Sequence, residues 1–267
     1  MMLYVLFILL AGCGAGVITG LIGASAVAVA VPILVVFAGY DPYEAIAIAL
    51  AIDIFVSIVA ACSYSSHSRV DLRAGAYIAS ASVAGAILGS WASSFLSAAT
   101  LGGGSGLITL GIGLTFLARP GVMDGRLLNN VPYIERLRRQ KTFLMVAAGL
   151  VIGLICGVVG AGGGMVILLA LVILLDYPIH LAIGTSVLIM IFTAGAATIG
   201  HGMYGAVDIP AALMGAAAGA GAAVVASRYA NAAPEHVLKR IVGVIYIAFG
   251  LLLAVAKLGF PGHTGFA

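Results

Sequence analysis

The chain contains its own pattern twice, at a spacing of 137 residues. Ala11-Gly12, Gly16, Gly20 and Gly23-Ala24 return as Ala148-Gly149, Gly153, Gly157 and Gly160-Ala161. At the same spacing Ala45-Ile46 meets Ala182-Ile183, and Val70-Asp71 meets Val207-Asp208. Tyr64 and His67 face His201 and Tyr204, with the two residue types exchanged. A whole series held in one register marks a duplication. The chain therefore divides into a first repeat over 1–118, a basic linker over 119–140 and a second repeat over 141–267.

Composition says what medium these repeats fold in. Apolar residues make up 63% of the 267 and charged residues 8%, where soluble domains hold about 45–50% and about 25%. So few charges cannot clothe a water-facing surface of this size, and the chain reads as a polytopic, all-α integral membrane protein. Hydrophobicity excludes disorder, and the lack of a basic face excludes a nucleic-acid partner. The three cysteines, Cys13, Cys62 and Cys156, lie in apolar stretches and read as small core residues, since an odd count gives no disulfide framework. Leu10-Ala11-Gly12-Cys13 resembles a lipoprotein cleavage site, but Met1 through Gly16 carry no Lys or Arg. That stretch also recurs in the second repeat, so it is expected to be the first membrane segment.

Each repeat shows about five apolar segments, eight to ten in all. They run near 3–20, 25–39, 44–63, 74–97 and 101–118, then near 142–158, 163–175, 180–200, 207–228 and 238–257. A span needs about 20 residues, so the second segment of each repeat is too short to cross and is expected to be a short or re-entrant helix. Both follow a glycine-rich break. With five crossings or returns per repeat, the loops near 64–73, 119–141 and 229–237 share one side with their flanks. That side holds 11 of the 12 Lys and Arg residues, so the positive-inside rule makes it cytoplasmic. An odd count per repeat inverts the second repeat relative to the first and leaves both chain ends outside.

A helix that starts inside a membrane presents unpaired backbone N–H groups and the positive end of its dipole. Glycines ahead of it let a ligand approach the backbone, and matching broken segments in two repeats point to a transporter binding site. The candidate binding residues are Gly23, Ala24, Ser25, Gly160, Ala161, Gly162, Gly163 and Gly164, with hydroxyls from Thr185 and Ser186 and a small anion as partner. The competing reading is that glycines serve helix packing, which suits the Gly12/Gly16/Gly20 and Gly149/Gly153/Gly157 ladders better than the breaks. These faces would also permit a homodimer. Asp53 is the one acidic residue near the middle of a full span, either a proton carrier or a hydrogen-bonded strut. His67 and His201 are read as proton-coupling candidates or as interfacial anchors with Tyr64 and Tyr204. Asp71 and Asp208 are expected to cap helices. No histidine pair has metal-binding spacing, and Gly160 to Gly164 lacks the ending of a phosphate loop, so no metal or cofactor is expected. An intramembrane enzyme using Ser25 or Cys156 would lack a neighbouring base.

The paired glycine-rich starts, the Pro178 to Ser186 stretch and the two Val-Asp turns resemble the sulfite exporter TauE/SafE family of membrane transporters. The resemblance covers nearly the whole chain. It implies an inner-membrane permease, not an enzyme, for sulfite, sulfonates such as sulfoacetate, or related anions. The first repeat departs from the fuller second copy, with Ala24-Ser25-Ala26 against Ala161-Gly162-Gly163 and no Thr-Ser pair at Ile48-Ala49. The two half-sites are therefore expected to be unequal. An anion channel is the alternative to a carrier.

Overall fold

The computed structural model describes residues 2–93, 141–159, 163–204 and 207–238, with Arg240, Ile241, Val244 and Ile245 beyond them. The 119–140 linker and the 101–118 segment lie outside the described residues, as does most of 238–257. Every regular element among the described residues is helical. The first repeat supplies α1 (Met2–Ile22), α2 (Val27–Val36), α3 (Pro42–Ser65) and α4 (Leu72–Ser93). The second supplies α5 (Lys141–Val159), α6 (Gly163–Leu174), α7 (Ile179–Tyr204) and α8 (Ile209–Ala232). The duplication reaches the helix boundaries. The starts of α3 and α7 stand 137 residues apart, as do those of α4 and α8 and the ends of α1 and α5.

Five of the described helices, α1, α3, α4, α7 and α8, are long and apolar enough to cross a membrane. By contrast α2 and α6 have 10 and 12 residues, which at 1.5 Å per residue is about 15–18 Å of a hydrocarbon core about 30 Å thick. Their shortness has local causes. Gly23 turns the chain at φ +63° between α1 and α2, a conformation that costs most residues a clash of Cβ with the backbone. Asp41 then caps α3 by accepting from the Tyr43 N–H at 2.9 Å, with Pro42 at the first helical position.

Backbones meet at the glycine ladders. Gly12 and Gly16 of α1 lie on the Gly215 and Gly219 carbonyls of α8, and Gly20 on Ala223 and Ala226. In the other repeat Gly149, Gly153 and Gly157 of α5 lie on the Ile78, Ser82 and Ala86 carbonyls of α4. Lipid tails are as apolar as leucine, so close packing of this kind is what brings membrane helices together. The ladders are thus consumed within one chain. A homodimer would need another face.

The same contacts fix helix direction. Residue numbers rise together along α1 with α8 and along α4 with α5. They also rise together along α3 with α8, through Ile52 on Gly215 and Val56 on Gly219, and along α4 with α7, through Gly75 on Leu188 and Ser90 on Gly200. The end of α3 instead meets the start of α7, where Gly184 lies on Tyr64 and Arg69. So α1, α3 and α8 point one way and α4, α5 and α7 the other, and each has its repeat mate in the opposite set. Arg69, Arg73 and Arg228 lie at the end where α3 and α8 finish and α4 begins, here called the basic end.

This packing makes an expectation for two glycines. A Cβ on Gly153 would collide with the Ser82 main chain, whereas one on Gly195 would meet nothing among the described residues. Gly153→Ala is expected to lower thermal stability in detergent by about 1–3 kcal/mol, the usual cost of overpacking. Gly195→Ala should be neutral or gain up to about 1 kcal/mol from helix propensity. Melting temperatures of the two purified variants check this.

Candidate functional site

The starts of the two short helices meet deep inside the bundle. A Cβ on Gly164, at the start of α6, would stand 2.5 Å from the Ser25 nitrogen and 2.7 Å from the Met190 sulfur. Only glycine permits that approach. On the other side Gly23 lies against Ser186, whose hydroxyl donates to the Gly23 carbonyl at 3.2 Å and to Ile183 of its own helix at 2.8 Å. Thr19 ends α1 by donating to the Ala24 carbonyl at 2.8 Å. Tyr64 is fully buried and donates to the Gly20 carbonyl at 2.9 Å, so it braces the break rather than anchoring at the membrane surface.

Asp53 completes this cluster. Its carboxylate accepts from the Ser25 hydroxyl at 2.7 Å and from the Ala26 backbone N–H at 3.1 Å, with a longer contact from Ser57 at 3.5 Å. The side chain is 1% exposed and faces the start of α2. Asp53 thus takes the Ala26 N–H just ahead of α2, while Ser25 takes the next two N–H groups, Val27 on its hydroxyl and Ala28 on its carbonyl, each at 3.4 Å. Among the described residues no Lys or Arg joins the carboxylate. Helix dipole and hydroxyls do the work a buried cation would otherwise do.

The sequence candidates are distributed as follows. Gly23, Ala24, Ser25, Ser186, Gly164 and Asp53 converge, and Gly163 sits beside them with Cys156, whose sulfur would be 3.0 Å from a Cβ at that position. Thr185 is buried next to Ser186, but its hydroxyl accepts from the Asp71 N–H at 3.0 Å, toward the basic end. His67 is not brought to the cluster. It is exposed at the basic end, bonded to the Ser63 carbonyl and Ser66. Gly160, Ala161 and Gly162 lie outside the described residues, and so does the His201 side chain. Among the described residues no three metal-ligating side chains converge.

A family model described as sulfite exporter TauE/SafE matches residues 8–253. The chain belongs to that family. As a TauE/SafE protein with several apolar helices it is a multi-pass membrane protein of a transporter family. Two similar relatives come from Bacillus subtilis (strain 168). One, the probable membrane transporter protein YdhB, is 25% identical over 245 residues, which cover 89% of this chain and 95% of that one. The other, the probable membrane transporter protein YunE, is 25% identical over 224 residues, covering 78% and 81%. No solved structure matches.

This TauE/SafE chain also holds polar contacts that the sequence reading passed over. Asp71 and Asp208 cap α4 and α8 as expected, accepting from the Ala74 and Ala211 N–H groups. Each accepts a tyrosine as well: Tyr177 donates to Asp71 at 2.6 Å and Tyr40 to Asp208 at 2.7 Å, with Tyr4 also bonded to both Tyr40 and Asp208. Tyr40 and Tyr177 are themselves 137 apart, so the repeat register carried the signal. Burial works against the Asp71 charge, but the Tyr177 hydroxyl, two backbone N–H groups and Arg73 outweigh it and hold the carboxyl below its usual range. The Tyr40 hydroxyl and the Ala211 N–H do the same for Asp208, against a smaller opposing effect of burial.

A carboxyl held low when folded stabilises fully above its unfolded pKa, and that stabilisation is lost as pH falls through the folded value. The difference in melting temperature between the wild type and Tyr40→Phe is therefore expected to stay constant from about pH 8 to about pH 5. It should shrink only below about pH 4, near the ordinary Asp value. A difference that collapsed between pH 7 and 6 would contradict this account of Asp208.

Proposed function

We propose that this protein exports a small sulfur-containing anion, sulfite or a sulfonate such as sulfoacetate, across the inner membrane by alternating access. One observation carries the reading: two half-helix starts abut within the bundle, and one of them already holds a carboxylate. A cradle that keeps Asp53 without a cation has the chemistry to hold a substrate anion. The second start is the place for it. There Met190 takes the position of Asp53 in the repeat, so no tethered carboxylate competes from that position, and Gly163 and Gly164 leave the α6 start without side chains.

The opposed directions of repeat mates support an arrangement inverted in the membrane, in which the same site can be opened to either face. The basic end is the cytoplasmic one by the positive-inside rule, with the 119–140 linker on that side and both ends of the chain outside. Export of an anion then runs down the membrane potential by about 2.3 kcal/mol per charge per 100 mV. Coupling to protons is an addition, not a requirement, and Asp53 is its carrier. A proton there weakens the hold of the carboxylate on Ser25 and Ala26 and removes a negative charge that faces an anion at the α6 start. His67 and His201 are secondary candidates for proton exchange at the membrane ends.

Sulfite flux into proteoliposomes tests the reading, with sulfoacetate, thiosulfate and sulfate as competitors. Saturable flux with counterflow is expected. Flux that stays linear with concentration would indicate a channel, and no flux from a folded preparation would remove sulfite. Gly163→Leu drives a side chain into Cys156 and the α6 start, and is expected to cut flux by about two orders of magnitude while the protein remains folded. Asp53→Asn should keep flux but flatten its pH dependence.

A further inference from the structure

Tyr40 and Tyr177 hold the outer ends of the two short helices. Tyr177 follows α6 at the basic end, where Asp71 receives it, and Tyr40 follows α2 at the opposite end, where Asp208 receives it. Each bond joins the tyrosine of one repeat to the aspartate of the other, so the two are mates under the same 137-residue register. In both, the second carboxylate oxygen is fixed by a helix N–H, Ala74 for Asp71 and Ala211 for Asp208. The acceptor is thereby anchored to α4 or α8. The donor is carried on a turn.

That turn is alike in the two repeats. Gly39 at φ +75° precedes Tyr40, and Asp176 at φ +56° precedes Tyr177. Repeat mates thus share a left-handed conformation, one of them without the glycine that would make it free of strain. Gly39 has no other described atom near its missing Cβ. Each turn closes its short helix, the Tyr40 N–H donating to the Leu34 carbonyl at 3.1 Å and the Tyr177 N–H to the Leu171 carbonyl at 3.2 Å, so the left-handed residue caps the helix and delivers the tyrosine to its aspartate.

The Tyr177–Asp71 bond also borders an open cavity. At the basic end a cavity of about 330 Å³ opens beside Tyr177, with Arg73, Tyr77 and Thr142 on its walls and Asp71 among them. The main-chain N–H of that aspartate is held by Thr185, next to Ser186, which in turn touches Gly23. One aspartate therefore has an open cavity on one side and, on the other, the residue of α7 that precedes Ser186 of the cluster.

We propose that these two tyrosine–aspartate bonds are the latches of paired gates: Tyr177–Asp71 closes the path from the basic end, and Tyr40–Asp208, braced by Tyr4, closes the path from the opposite end. The structure has both closed, an occluded state. Releasing one latch lets the outer end of its short helix swing on the left-handed turn and opens the central cluster to that side alone. Releasing both makes a leak. The proposal rests on the transport reading for its purpose, but its geometry can be tested without any flux.

The test uses Cys156, buried beside the α6 start, as reporter in a Cys13→Ser, Cys62→Ser background, with a membrane-impermeant anionic methanethiosulfonate applied to one side of oriented vesicles. Tyr177→Phe is expected to speed labelling from the basic end by about ten-fold or more, the scale set by losing a hydrogen bond to a charged group. From the other side it should change nothing. The Tyr4→Phe, Tyr40→Phe pair should do the reverse. Asp71→Asn keeps its oxygen for the Ala74 N–H and offers its amide N–H to the Tyr177 oxygen, so it should label more slowly than Tyr177→Phe, which a general loosening would not respect. Tyr177→Leu, which removes the ring as well as the hydroxyl, should speed labelling from the same side at least as much as Tyr177→Phe. Acceleration from both sides alike, or from neither, overturns the latches. Sulfite flux in the wild type together with unsided labelling would remove the latches and leave the transport reading intact. Sided labelling without flux would do the opposite.

Discussion

A backbone that stops inside a membrane must find partners for its free N–H groups, because lipid supplies none. The rest of this structure follows from how that need is met at the start of α2. The chain brings Asp53 from the middle of α3 to face it, adds the hydroxyl of Ser25, and turns at Gly23 so that the approach is short. A central carboxylate costs roughly 2.5–3.5 kcal/mol on insertion scales, and the charge-assisted bonds it makes, at about 1.5–3 kcal/mol each, are of the size needed to offset that. Interrupting the helix and burying the acid are each unfavourable alone. Together each supplies what the other lacks.

The glycine ladders make this arrangement rigid. Where α1 lies on α8 and α5 on α4, backbone touches backbone with no side chain between, so the frame has little freedom to slide. The short helices are held by buried side chains instead, Val27, Ala30 and Leu34 of α2 and Met165, Ile167, Leu168 and Leu171 of α6, and by one tyrosine at each outer end. Backbone contact along the long helices and side-chain contact along the short ones recur in both repeats. The two repeats are not equivalent at the centre, where an aspartate in one stands against a methionine in the other. On the proposed function, that inequality lets one start serve an internal anion while the other is left for substrate.

Much of this was legible in the sequence because the duplication did the reading. The apolar runs of the two repeats placed the described helix ends to within about four residues, and the shortness of the second segment marked α2 and α6. Asp53 stood out by charge alone. Its partner did not, because no sequence spacing reveals that a residue of α3 will face Ser25. Tyr64 was read by its place near a membrane end, yet packing turned it inward onto Gly20. The tyrosine–aspartate pairs were hidden for another reason: the aspartates already had a role as helix caps, and only the crossing of repeats, a tertiary fact, brings Tyr177 to Asp71 and Tyr40 to Asp208. Thr185 and Ser186 were equal as candidates, but successive positions on a helix point about 100° apart, and they ended on different neighbours.

The claim at the centre of this account is that an anion binds where the two short helices begin. The direct measurement is to locate selenite, a heavier analogue of sulfite, by its anomalous scattering in crystals of the full chain. The account expects one strong peak within hydrogen-bond distance, about 3.5 Å or less, of the start of α6, close to Gly163 and Ser186. Selenite ordered only in the cavity beside Arg73, with nothing at the helix starts, would contradict it.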